Sequence, residues 1–213
     1  SPTSSPGGSF FRFNVDGNTS KIDVSALVQF KDSYLDQGSS INVANGGNLV
    51  APVLSQLSGV AISVDAPQPW FANLTSINYG GVSAANPITI SFPALTTFQG
   101  AYASLKGGSA TFPVAANIDG ASFYASAGAV ISLPAATSYT TTTDNARIRA
   151  DGPGSLIQIP NLLAGYFRVG LSGSTFIEAL GGGTVDLHAL NYLGDSPTSS
   201  PGGSFFRFNV DGN

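Results

Sequence analysis

Residues 92–98 read FPALTTF, and the same seven-residue theme returns on both sides of them. It recurs as FPVAANI at 112–118 and LPAATSY at 133–139. Looser forms are VSALVQF ending at Phe30, APVLSQL ending at Leu57, FANLTSI ending at Ile77, IPNLLAG from Ile159 and LHALNYL ending at Leu193. With the proline position as slot zero, the anchors are Ser25, Pro52, Ala72, Pro93, Pro113, Pro134, Pro160 and His188, at successive intervals of 27, 20, 21, 20, 21, 26 and 28. A unit this short cannot enclose a core of its own. It suits one turn of a coil whose apolar face is covered by the turns above and below it.

Read down the units, the slots behave as strand positions. Directly before the anchor stand Val24, Ala51, Phe71, Phe92, Phe112, Leu133, Ile159 and Leu187, all apolar. One place earlier the residues are mostly polar (Asp23, Ser91, Thr111, Ser132, Gln158, Asp186), and one earlier still they are apolar again except Pro69. That is the period-two alternation of a half-buried strand. Two residues past the anchor come Leu27, Leu54, Leu74, Leu95, Ala115, Ala136, Leu162 and Leu190, a second inward position after a bend. Gly-rich stretches such as LKGGSA (105–110), ADGPGS (150–155) and ALGGGT (179–184) precede the anchors, where the chain must turn. Proline at the anchor fits a corner, where no ladder N–H is needed. One segment has a second reading: SALVQFKDSYLDQG from Ser25 carries an N-cap, helical spacing and a stopping glycine, so a short helix there is an alternative.

The last eighteen residues, SPTSSPGGSFFRFNVDGN (196–213), repeat residues 1–18 without a difference, offset by 195. The step from His188 to the Ser25 of a following period is little longer than the others and holds SPTSSPGG, so eight units fill the period. The expectation is an all-β, single-stranded parallel β-solenoid of about eight coils, each of roughly 20–32 residues, within the range of repeat units that stack in this way. Residues 1–195 would form one module, with a Pro/Ser/Gly insert at its start, and residues 196–213 would open the next. No polar cap is visible at either end, and a solenoid needs caps to hide its strand edges. Continuation is therefore expected. An engineered duplication, or exchange of the repeated segment between neighbouring chains, is the alternative.

This pattern resembles the right-handed β-helix and β-solenoid modules of large bacterial surface and secreted proteins that carry many loose LPALTS-like coils. The resemblance covers residue 10 to about 195 and rests on the coil pattern. Right-handedness follows from the general preference of parallel crossovers and from the absence of a strict six-residue period.

Composition limits the partners. Charged residues make up 9% of the chain, the net charge is −4 and there is no Cys. Eight Lys plus Arg spread along the length leave no footprint for nucleic acid or anionic lipid. No apolar run reaches a membrane span, and nothing at the start reads as a signal peptide. The lack of an initiator Met indicates a mature product or an excised segment. Low charge, abundant hydroxyls and no sulfur fit an extracellular or cell-surface material.

Candidate chemistry is sparse. Asp23 and Asp186 share the slot two before the anchor and would become neighbours if coil eight were followed by coil one. His188, the single histidine, reads as a corner residue, since a metal site needs more ligands and a Ser nucleophile needs a base. GGGTVDLHA (181–189) is similar to a calcium-binding nonapeptide repeat but has Thr184 where that repeat has Gly, and it occurs once. Asp16, Asp119 and Asp151 precede Gly as turn pairs do. The slot three past the anchor is too mixed for an ice-binding ladder. Asn18 and Asn73 lie in N-x-[S/T] sequons and are the candidate glycosylation sites. No enzyme activity, cofactor or metal is expected. The expected role is a structural fibre, stalk or adhesin shaft whose partner is itself, through covalent tandem modules or head-to-tail stacking, with surface glycans as a further candidate partner. The rival is a carbohydrate-binding or carbohydrate-active β-helix using Trp70, Tyr79 and Tyr102 as stacking platforms.

Overall fold

The structure, a computed structural model, describes residues 10–33, 38–141, 146–167, 174–195 and 205–212. Its strands come in rounds. The first round is β1 (Arg12–Asp16), β2 (Lys21–Asp23) and β3 (Gln29–Lys31), and the second β4 (Ser39–Ala44), β5 (Asn48–Val50) and β6 (Gln56–Ser58). Then follow β7 (Val60–Val64), a 3₁₀ turn (Pro69–Asn73) and β8 (Ser76–Asn78); β9 (Gly81–Ala84) and β10 (Ile88–Ser91); β11 (Tyr102–Lys106) and β12 (Gly108–Thr111). The later rounds are β13 (Ser122–Ser126), β14 (Val130–Ser132) and β15 (Ser138–Thr140), then β16 (Arg147–Asp151), β17 (Leu156–Gln158) and β18 (Ala164–Phe167). The last are β19 (Ser174–Leu180), β20 (Thr184–Asp186), β21 (Tyr192–Asp195) and β22 (Phe205–Asp211).

Every ladder between them is parallel. The longest sheet runs β1-β4-β7-β9-β11-β13-β16-β19-β22, so each strand pairs with its counterpart one round away. A second set comprises β2-β5 and β10-β12-β14-β17-β20, and a third comprises β3-β6-β8 and β15-β18-β21. In the third set, single bridges through Thr97 and Asn117 continue the line where no full strand forms. In the second, the 3₁₀ turn interrupts it, because Pro67 and Pro69 cannot donate ladder hydrogen bonds. Asn73 Nδ2 nonetheless donates to the Pro52 carbonyl at 2.7 Å, and Phe71 packs on Phe92 at 5.0 Å between ring centres. The fold is all-β and parallel in several sheets, compatible with a parallel β-solenoid.

The core lies between these sheets. Along the first sheet, Phe13, Ile41, Ile62, Val82, Ala103, Phe123, Ile148, Ile177 and Phe208 occupy one register line, each opposite the next. The slots read from sequence form the other walls. Phe92 stacks on Phe112 at 5.0 Å and 15°, and Leu57, Ile77 and Phe98 line up and are buried. All eight anchors sit at turns or in the 3₁₀ segment. At the LKGGSA corner, Gly107 and Gly108 have φ of +74° and +69°, and a Cβ on Gly108 would collide with the Ile88 carbonyl oxygen. Only glycine fits there.

Two readings need correction. The alternative helix from Ser25 does not form over its described part: residues 25–26 are a turn and Gln29–Lys31 is β3, because Leu27 and Phe30 point into the apolar stack that a strand can reach. Residues 34–37, the rest of that segment, lie outside the described residues, as do SPTSSPGG and its copy and most of TTTTD. Trp70 occupies a slot that is mostly polar elsewhere, yet it is 2% exposed, because the 3₁₀ turn rotates it inward against Phe71.

Candidate functional site

The apolar face of the stack ends in the open at its last round. Val185, Leu187 and Leu190 fill the slots that Ile157, Ile159 and Leu162 fill one round earlier, but they are only half-buried. Above them, Phe208 and Val210 on β22 are 55% and 82% exposed. With Ile177, Ala179 and these side chains, β22 borders an open recess of about 450 Å³. At the opposite edge of the stack, Ile22, Val24 and Leu27 are likewise half-buried, and Phe10 and Phe11 are exposed.

The two edges carry the same strand. β1 and the end of β22 are both RFNVD, and both turn Phe and Val inward. They use opposite sides. In β1, Phe13 and Val15 pair forward with Ile41 and Val43 of β4; in β22, Phe208 and Val210 pair backward with Ile177 and Ala179 of β19. Their polar contacts are also complementary. The Asp211 carbonyl accepts from Gly181 N at 2.9 Å on the backward side, while Asp16 Oδ1 accepts from Asn45 Nδ2 at 2.7 Å on the forward side. Asn14 Oδ1 accepts from Asn42 Nδ2 at 2.7 Å, and its copy Asn209 stands opposite Glu178.

The sequence-derived candidates are scattered among corners. His188 Nδ1 lies 2.8 Å from Asp186 Oδ1 on an exposed turn, and that hydrogen bond holds the Asp186 carboxyl below the usual carboxylate range. Lys21 Nζ does the same for Asp23 at 3.0 Å. The two carboxylates stand at opposite edges of the stack and do not meet. Asp16, Asp119 and Asp151 lead into Gly17, Gly120 and Gly152, each with positive φ, as Asp-Gly turns require. Asn18 is exposed at a turn; Asn73 is exposed, with its amide engaged by Pro52. Trp70 offers no sugar platform, since its indole is buried. Tyr102 lies across Gly81 of the neighbouring strand, where a Cβ would meet its ring at 2.5 Å, so its ring covers a glycine in the sheet. Tyr79 is half-buried with φ +53°.

A charge cluster escaped the sequence reading. On the outer face of the first sheet, Arg147 Nη1 lies 3.1 Å from Glu178 Oε2, and Arg149 Nη2 lies 2.6 Å from Asp151 Oδ2. Arg149 stands directly opposite Glu178, and the Arg147 guanidinium lies 4.8 Å from the Phe176 ring centre. Arg147 and Glu178 are far apart in the chain, and nothing short of the β16–β19 register joins them. Both carboxylates are engaged by arginines, and among the described residues no histidine or lysine joins the cluster as an acid or base. Among the described residues no group of three His, Asp or Glu could hold a metal ion, and no helix is long and apolar enough to cross a membrane. Comparison of the chain with known protein families, with curated proteins and with solved structures finds no match.

Proposed function

We propose that the chain is one period of a structural fibre, stalk or adhesin shaft outside the cell: a right-handed parallel β-solenoid of eight coils that continues into further modules and performs no catalysis. One observation carries this reading. The strand that repeats β1 one period later lies on β19 with the same side chains inward and the opposite edge engaged, as the first strand of a next period would. The exposed hydroxyls and low charge suit a persistent surface material. Hydroxyls such as Thr75 Oγ1, which donates to the Ser55 carbonyl at 3.0 Å, and Thr96 Oγ1, which donates to the Thr75 carbonyl at 3.2 Å, tie one round to the next without charge.

Parallel strands lie about 4.8 Å apart, so eight rounds should advance the axis by roughly 38 Å. Small-angle scattering on this protein and on a chain of residues 1–195 followed by residues 1–213 tests the reading. A rod that lengthens by one such step at constant cross-section is expected; two independently tumbling particles would overturn it. The carbohydrate-binding alternative keeps one observation, the arginine and carboxylate cluster with Tyr124 on the same outer face. Affinity for a panel of polysaccharides that is lost in Arg149→Ala would support that rival.

A further inference from the structure

We propose that two copies of this chain join head to tail through one shared FFRFNVDG strand, an inference that rests on the fibre reading above. The last round of one copy, β20 and β21, receives β2 and β3 of the next. A single strand, either β22 of the first copy or β1 of the second, fills the first sheet between β19 and β4, and its duplicate is released.

Strand arithmetic requires the sharing. Among the described residues the first sheet has nine strands, while the second and third sets each have eight positions once the 3₁₀ turn and the two bridging residues are included. Stacking two whole copies would put two copies of the repeated strand into the first sheet against none extra in the others. β20 and β2 would then be held one strand spacing too far apart to bond, about 9.6 Å instead of about 4.8 Å. Removing one duplicate restores equal counts and the period of the sequence.

The remaining strand can serve both sides at once. Toward β19 it uses the contacts of β22, including the Asp211 carbonyl; toward β4 it uses those of β1, including the Asp16 carboxylate and the Asn14 side chain. These are different atoms of the same residue types, so the two sets do not compete. Of its inward side chains Val15 is already buried in β1, whereas Phe13 is half-buried there and Phe208 and Val210 are 55% and 82% exposed in β22, so the gain in cover falls on these three.

The rest of the joint matches slot by slot. Ile22 would lie on Val185, Val24 on Leu187 and Leu27 on Leu190, six half-buried apolar side chains becoming three stacked pairs. Lys21 would face Thr184. Asp23 would face Asp186, a like-charge pair that is unfavourable when directly opposed. Each brings its own partner, Lys21 and His188 respectively.

The chain has no cysteine, so introduced thiols report this contact alone. Within one chain Lys21 and Thr184 are separated by seven strand spacings, about 34 Å, whereas a disulfide needs Cα atoms within about 7 Å. Lys21→Cys and Thr184→Cys chains, mixed and oxidised in high salt to screen the Asp23–Asp186 pair that the loss of Lys21 leaves uncompensated, should give a mixed covalent dimer several-fold above the homodimer of either. The double variant should give a ladder of longer oligomers, and adding Leu187→Asp should abolish both. Circular dichroism verifies that each variant keeps the parent's sheet signal. A mixed yield no greater than that of the single variants, with the sheet signal intact and the two-period chain still lengthening by one step in scattering, overturns the joint and leaves the rod. An unfolded parent, or a two-period chain that does not lengthen by one step, overturns the rod and the joint together.

Discussion

Tyr139 shows how one residue serves both the apolar stack and its polar bookends. Its ring is fully buried, 6.2 Å from Phe206, and its hydroxyl donates to the Ala121 carbonyl at 2.9 Å. Burial pushes the phenol well above the usual tyrosine range, since the ionised form would lose its hydration. The sign follows: a phenol titrating near pH 10 when unfolded and higher when folded stabilises the protein fully below pH ~10 and progressively less above it. Tyr139→Phe should therefore cost about 1–1.5 kcal/mol at neutral pH, through the lost hydrogen bond, yet lose less stability than the parent between about pH 10 and 12. Urea titrations across that range check it, and parallel pH slopes for the two proteins would refute the assignment. The inward line containing Tyr139, with Leu57, Ile77 and Phe98, was legible because period-two patterning survives substitution of one apolar side chain for another. Trp70 was not legible, because its orientation depends on a 3₁₀ turn that local patterning does not encode.

At the scale of elements, the corners rather than the strands carry the sharpest demands. The strands are mostly short and tolerate varied side chains, but the Gly107–Gly108 corner brings backbone against backbone. Gly152 also has positive φ, +87°, but nothing lies within 4 Å of a Cβ placed there. A pair of substitutions separates conformation from crowding. Gly152→Ala should cost about 1–2 kcal/mol, the penalty of a left-handed backbone for an L-residue. Gly108→Ala should cost clearly more, because β12 must also retreat from β10. Thermal midpoints measured side by side test this, and equal losses would show that the close approach relaxes freely. The anchors were readable as turns from their proline content. The Arg147–Glu178 pair was not, since partners so distant in the chain meet only after the length of the intervening loop sets the register. The open edge was foreseeable from the exact repeat, but its complementary use of β1 and β22 required the pairing.

For the whole molecule, contacts run between neighbouring rounds, so stability should be distributed as in a one-dimensional array and not as in a single closed core. The middle rounds have cover on both sides: Ile90, Phe92, Phe98, Phe112, Ile118, Phe123 and Ile131 are all fully buried. The edge rounds have it on one side, and the equivalent slots at Ile22, Val24, Leu187 and Leu190 stay half-buried. A half-covered slot forgoes much of the roughly 25 cal/mol per Å² that apolar burial contributes. The edges should then open at lower free energy than the centre. Hydrogen exchange followed by mass spectrometry on dilute protein should show protection rising from β1–β3 to a plateau across β9–β16 and falling again through β20–β22. Raising the concentration until copies join should raise protection in β2–β3 and in β20–β21 together, because one event covers both edges, while the released duplicate of β1 or β22 loses it. Uniform protection at every concentration would mean that the molecule unfolds as a single unit, and the additive picture of stacked rounds would fail with it.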